Sequence, residues 1–131
     1  MNDLWTIGYE GKTLFGFVRL LWDANVDMVI DVRERARAPR KGFSKSAVIG
    51  ALRMAGIKYV AAGFAGNPLH GSHVEYKRHL ESHPDVLDEL EKLVADHRPA
   101  LMCAEKSHDA CHRAVLANQL EQRLQRKIHH L

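Results

Sequence analysis

Two rhythms of apolar and polar positions alternate along the chain. Leu4-Trp5-Thr6-Ile7 is a short β-prone run closed by Gly8, which predicts a first strand. Past the loop Gly8–Thr13, Leu14, Phe17, Val18 and Leu21 fall at i, i+3, i+4 and i+7. That spacing predicts a helix to Asp23, with Thr13 as its cap. Val26–Val32 is near-continuously apolar, as a strand covered on both faces should be. Ser44 then caps a second helix with Val48, Ala51, Leu52 and Ala55 on its buried face, and Gly56 closes it. Ile57–Ala61 predicts a third strand. Ser72 and Glu75 have capping-box spacing for a short third helix. Pro84 stands where a fourth helix begins, with Val86, Leu87, Leu90, Leu93 and Val94 facing inward. Ala100–Ala104 predicts a fourth strand. A fifth helix follows from Ala110 to Arg123, burying Leu116, Ala117, Leu120 and Leu124, and Lys127–Leu131 predicts a short last strand.

Strands that alternate with helices imply an α/β domain, a three-layer sandwich with a mostly parallel sheet of about five strands and helices on both faces. The 131 residues fit one such domain, 1–131. Crossovers of constant hand leave few strand orders, and 3-2-1-4-5 is the expected one. That order puts a switch point between the first and fourth strands, where open α/β sheets bind ligands outside their carboxyl ends. The loops Gly8–Thr13, Arg33–Gly42, Gly63–Gly71 and Cys103–Arg113 should all open on that edge.

Composition changes this picture little. Apolar residues make up 46% and charged residues 27%, as in ordinary globular domains. No apolar run approaches the ~18 residues of a membrane span, and the first residues lack a secretory pattern. Two cysteines without a signal peptide predict reduced thiols and a cytoplasmic location. The net charge of +3 suits an anionic small molecule or a nucleic acid without demanding either. The oligomeric state is not legible, and no membrane partner is expected.

The candidate chemistry concentrates in Pro99–Arg113, which reads P-A-L-M-C-A-E-K-S-H-D-A-C-H-R. Cys111 near a helix start has a dipole and Arg113 to favour a thiolate, with Asp109 opposing. His112 is its neighbour in sequence, but adjacent helical residues diverge, so His108 reaches more easily. Cys103 at a strand end is the rival nucleophile, with Glu105 two residues on. Cys103, Glu105, Cys111 and His112 are therefore the catalytic candidates. The bland alternative is that both cysteines are small buried hydrophobes. Cys103, His108, Cys111 and His112 do not have the paired C-x2-C spacing of structural zinc sites, so neither metal nor cofactor is expected.

Elsewhere, Gly8, Tyr9 and Gly11 with Asp31, Arg33 and Arg113 are candidates to bind substrate. G-K-T at Gly11–Thr13 resembles the end of a P-loop, but the loop is too short for G-x4-G-K-[ST]. Asp31-Val32-Arg33 resembles a strand end of rhodanese-type sulfurtransferases, but no C-x5-R follows. An ion pair that organises the strand end is its simpler reading. Arg33, Arg35, Arg37, Arg40 and Lys41 with Phe43 could grip phosphates and stack a base, or form a solvated loop.

T-I-G-Y-E-G, D-V-R at Asp31–Arg33, G-F-S-K at Gly42–Lys45 and L-M-C-A-E…C-H-R at Leu101–Arg113 together resemble a bacterial family, the one catalogued as domain of unknown function 488. The resemblance implies a small cytoplasmic α/β protein with Cys103, Glu105, Cys111, His112 and Arg113 as signature residues. It implies no reaction. Glu34–Arg40 departs from it, being richer in arginine and poorer in serine and proline. Three functional readings follow. The first is an enzyme with a cysteine-containing site at the carboxyl edge of the sheet, acting on a nucleotide-like or phosphate-bearing anion. The second is a non-catalytic nucleic-acid-binding or accessory protein. The third is a thiol redox sensor.

Overall fold

The computed structural model describes residues 3–33, 43–65, 73–103 and 113–131, with Phe64, His73, Cys103, Arg113 and Ala114 described by backbone alone. In chain order the elements are β1 (Leu4–Gly8), α1 (Leu14–Asp23), β2 (Met28–Asp31), α2 (Lys45–Met54), β3 (Lys58–Ala61), α3 (His73–Ser82), α4 (Pro84–Val94), β4 (Pro99–Cys103), α5 (Arg113–Leu124) and β5 (Ile128–His130). A single 3-10 turn, Gly63–Ala65, follows β3. Thr13 Oγ1 accepts from the Gly16 amide at 3.0 Å and Ser44 Oγ from the Ala47 amide at 3.3 Å. Both predicted caps thus start their helices, and Pro84 is the first residue of α4.

All five strands are parallel, in the order β3-β2-β4-β1-β5. β1 and β2 are buried throughout and β4 from Pro99 to Met102, whereas the edge strands β3 and β5 are partly exposed. Alternation along the strands sorts the core into two layers. Ile7, Val29, Ala100 and Met102 pack with Phe17 and Leu21 of α1 and Val48 and Leu52 of α2. Leu4, Met28, Ile30 and Leu101 pack with Tyr76 and Leu80 of α3, Leu87, Leu90 and Val94 of α4, and Leu116 and Leu120 of α5. The chain steps toward β3 on the first face and returns toward β5 on the second, as a constant crossover hand requires. This is the expected three-layer α/β sandwich.

The expected strand order is corrected in one respect: β1 and β4 exchange places. β4 lies between β2 and β1, and β5 pairs with β1. The local pattern leaves the choice open, because β1, β2 and β4 are each apolar enough to stand in the middle of the sheet. The connections β1–β2, β3–β4 and β4–β5 each skip one strand. The neighbours β1 and β4 remain paired, and the exchange brings the end of β2 directly against β4.

Candidate functional site

The carboxyl ends of the three central strands finish level. Gly8 is the register partner of Cys103, and Asp31 that of Met102. The Val32 amide extends the ladder to the Met102 carbonyl at 3.2 Å. After β1 and β2 the chain leaves for the α1/α2 face, and after β4 for the other. Connections therefore diverge on both sides of β4, which opens a crevice at its end on general grounds.

At the end of β1 the chain turns sharply. The Lys12 amide donates to the Tyr9 carbonyl at 3.0 Å, and Gly11 takes φ 79°, the third position of a type II turn that only glycine fills without strain. Lys12 Nζ donates to the Gly8 carbonyl at 2.7 Å. Tyr9 turns inward and is 1% exposed. Its ring stacks on Phe43 with centroids 4.6 Å apart, and the Arg33 guanidinium lies 5.4 Å from its centre. The Tyr9 hydroxyl is buried with no well-formed hydrogen bond among the described residues.

Asp31 and Arg33 form the polar heart of this edge. Arg33 Nε donates to Asp31 Oδ1 at 2.9 Å and Nη2 to Oδ2 at 2.7 Å, a bidentate fork. The Arg33 amide adds a bond to Oδ1 at 3.1 Å, and the Tyr59 hydroxyl donates to Oδ2 at 2.6 Å. Arg33 Nη1 reaches the Phe43 carbonyl at 2.7 Å, which ties together the two residues that flank segment 34–42. Both side chains are buried, 0% exposed for Asp31 and 7% for Arg33. Burial works against the guanidinium's charge, but the hydrogen bonds and charge of Asp31, with Tyr9 nearby, hold its pKa above the usual value. Burial and then the Asp31 carboxylate push the Tyr59 phenol well above its ordinary range.

The structure therefore brings Gly8, Tyr9, Gly11, Asp31 and Arg33 to one edge. Cys103 ends β4 on that edge, and Arg113 begins α5. Glu105, His108, Cys111 and His112 lie outside the described residues, as do Arg35, Arg37, Arg40 and Lys41. Phe43 is corrected: it is 1% exposed and stacked between Tyr9 and the edge of Phe17, so it cannot stack on a base. Sequence reasoning missed Tyr59. The usable signal was its place in β3, opposite Val29 and two residues short of the level of Asp31, within reach for a long side chain. A cavity of about 550 Å³ lined by Ile49, Arg53, Gly56, Ile57, Lys58 and Tyr59 opens mainly at the start of β3, away from the carboxyl edge. Among the described residues, no three His, Cys, Asp or Glu side chains cluster as metal ligands, and no helix is long and apolar enough to cross a membrane.

The family model described as domain of unknown function DUF488 matches residues 13–120. The chain belongs to the DUF488 family. The match runs from the cap of α1 to Leu120 in α5, and so takes in D-V-R, G-F-S-K and L-M-C-A-E…C-H-R. No curated protein and no solved structure matches the chain.

Proposed function

We propose that this DUF488 chain is an enzyme with a cysteine-containing site at the carboxyl edge of its sheet, acting on a nucleotide-like or phosphate-bearing anion in the cytoplasm. The observation that supports it is the level finish of β1, β4 and β2, with Gly8 beside Cys103 and Asp31 beside Met102. In this reading Cys103 or Cys111 is the nucleophile or redox thiol and Glu105 the acid/base group. His112 orients a neighbour or exchanges protons. Backbone at Gly8, Tyr9 and Gly11 lines the substrate. Arg113 is the main anion clamp, because Arg33 already commits Nε, Nη1 and Nη2 to Asp31 and Phe43.

Alkylation by iodoacetamide, followed against pH in the wild type and in Cys103→Ser and Cys111→Ser proteins, tests this. One thiol should titrate below the ordinary value of about 8.5, and inorganic phosphate or a nucleoside monophosphate should protect it. Two ordinary or inert thiols, indifferent to those anions, would sink the proposal. The non-catalytic nucleic-acid reading draws on Arg35, Arg37, Arg40 and Lys41 in segment 34–42, whose flanks Arg33 and Phe43 meet at this edge. It requires oligonucleotide binding that weakens steeply with salt and with neutralisation of those arginines. The redox-sensor reading requires oxidant-dependent loss of both thiols together.

A further inference from the structure

Two imidazoles meet where α3 gives way to α4. His79 and His83 read H-x3-H, and their rings approach with centroids 4.3 Å apart and planes tilted by 31°. His79 lies in the last turn of α3. His83 has left the helix: at φ −128° and ψ 68° it stands just before Pro84 and starts α4. There its Nδ1 donates to the His79 carbonyl at 2.8 Å. A carbonyl only accepts, so Nδ1 carries the proton and the lone pair of neutral His83 sits on Nε2. The backbone is pinned as well. The His83 amide donates to the Leu80 carbonyl at 3.2 Å, and the His83 carbonyl accepts from the Val86 amide at 3.1 Å, with Leu80 and Val86 both in the core. Pro84 restricts the same residue further.

We propose that His79 and His83 are the protein ligands of a divalent metal site at the α3–α4 junction, and that it takes an ion of right-angled coordination, Cu2+ or Ni2+. Three features carry this. A histidine that binds metal through one nitrogen nearly always donates its other N–H to a carbonyl or carboxylate, which fixes tautomer and ring orientation. The His79 carbonyl does this for His83. The spacing also fits. Two imidazoles that share an ion at metal–nitrogen distances of about 2.0–2.1 Å have ring centres about 4.5 Å apart for a right-angled bite and about 5.2 Å for a tetrahedral one. The observed 4.3 Å matches the right-angled bite, which suits Cu2+ and Ni2+ better than Zn2+. Finally, the pair has no other task among the described residues. His97 and His129 each meet an aspartate, and His130 meets Thr6, whereas the rings of His79 and His83 face each other. Ser82 between them spends its hydroxyl on the Arg78 carbonyl at 2.9 Å. The remaining coordination positions therefore fall to solvent or a small donor molecule, which makes this an open site rather than a closed structural one.

Ni2+ titrated into the full chain, followed by heat and by thermal unfolding, tests the site, and Cu2+ broadening of the ring resonances of the nine histidines locates it. Expected are a tightest class of one Ni2+ per chain, a higher Tm with Ni2+ present, and affinities in the order Cu2+, Ni2+, Zn2+. At sub-stoichiometric Cu2+, His79 and His83 should broaden before any other histidine. His79→Gln and His83→Gln, at a half-buried and an exposed position, should each weaken Ni2+ binding about tenfold or more with unchanged circular dichroism. The broadening is read in the wild type and so stands even where a variant unfolds. No Ni2+ binding up to about 1 mM, an affinity indifferent to both substitutions, or another histidine broadening first overturns the site. Zn2+ held more tightly than Ni2+ overturns the right-angled bite.

Discussion

At the scale of single residues, Asp31 shows how burial turns a polar motif into a framework. Its carboxylate is out of water and accepts from Arg33 twice through the side chain, from the Arg33 amide and from Tyr59. Removing one member of a buried pair leaves the other uncompensated. Asp31→Asn should therefore cost about 3–5 kcal/mol, while Tyr59→Phe, which leaves the ion pair intact, should cost about 1–3 kcal/mol. Urea unfolding monitored by circular dichroism measures both. The same environment makes a pH prediction. The phenol of Tyr59 is raised by burial and by Asp31, and that of Tyr76 by burial; the Tyr76 hydroxyl bonds the Ala65 carbonyl. A group that holds its proton more tightly when folded contributes stability that is complete below its unfolded pKa, about 10 for tyrosine, and lost as pH rises beyond it. Phenolate absorbance assigned to these two residues, by difference against Tyr59→Phe and Tyr76→Phe proteins, should stay low at about pH 11 while the fold persists and appear with unfolding. Normal titration of either in the folded protein would contradict the burial argument.

Among the elements, the helix ends divide cleanly into what composition announces and what it hides. Just past α2, Gly56 takes φ 73°, and glycine there is the textual sign of a left-handed cap. Asn25, Asp96 and Gln125 adopt the same conformation just past α1, α4 and α5. They carry no comparable sign, because these residues are common in every kind of loop and pay the left-handed cost only when packing compels it. A pair of substitutions separates backbone cost from crowding. A Cβ at Gly50 or at Gly56 would meet nothing within 4 Å. Gly50→Ala, inside α2, should stabilise by about 0.5–1 kcal/mol. Gly56→Ala should destabilise by about 1 kcal/mol, since alanine is strained at positive φ. Thermal unfolding of the two proteins should move in opposite directions; a shift of the same sign would show that space, not φ, governs both.

On the scale of the whole molecule, the strand exchange is what sets the end of β2 against β4. With the expected order, Asp31 would have stood one strand away from β4. In the observed order it stands beside Met102, one residue short of Cys103. The polar end of β2 and Cys103 at the end of β4 thereby share one edge, and the thiol titration proposed above interrogates that edge directly.

The elements, the two helix layers, the α/β class and the arrival of Gly8, Tyr9, Gly11, Asp31 and Arg33 at one end of the sheet were legible in the sequence. They were legible there because each depends on short-range facts: period, caps, turn glycines and runs of apolar residues. Asp31-Val32-Arg33 was legible as an ion pair on the same grounds, two residues apart at a strand end. The tertiary structure alone decided the order of β1 and β4, the recruitment of Tyr59 and the Phe43 carbonyl to Asp31 and Arg33, and the withdrawal of Phe43 into the core. These depend on which strands become neighbours. β1, β2 and β4 are all apolar enough to be central, so nothing local ranks them and only contacts between residues far apart in sequence do.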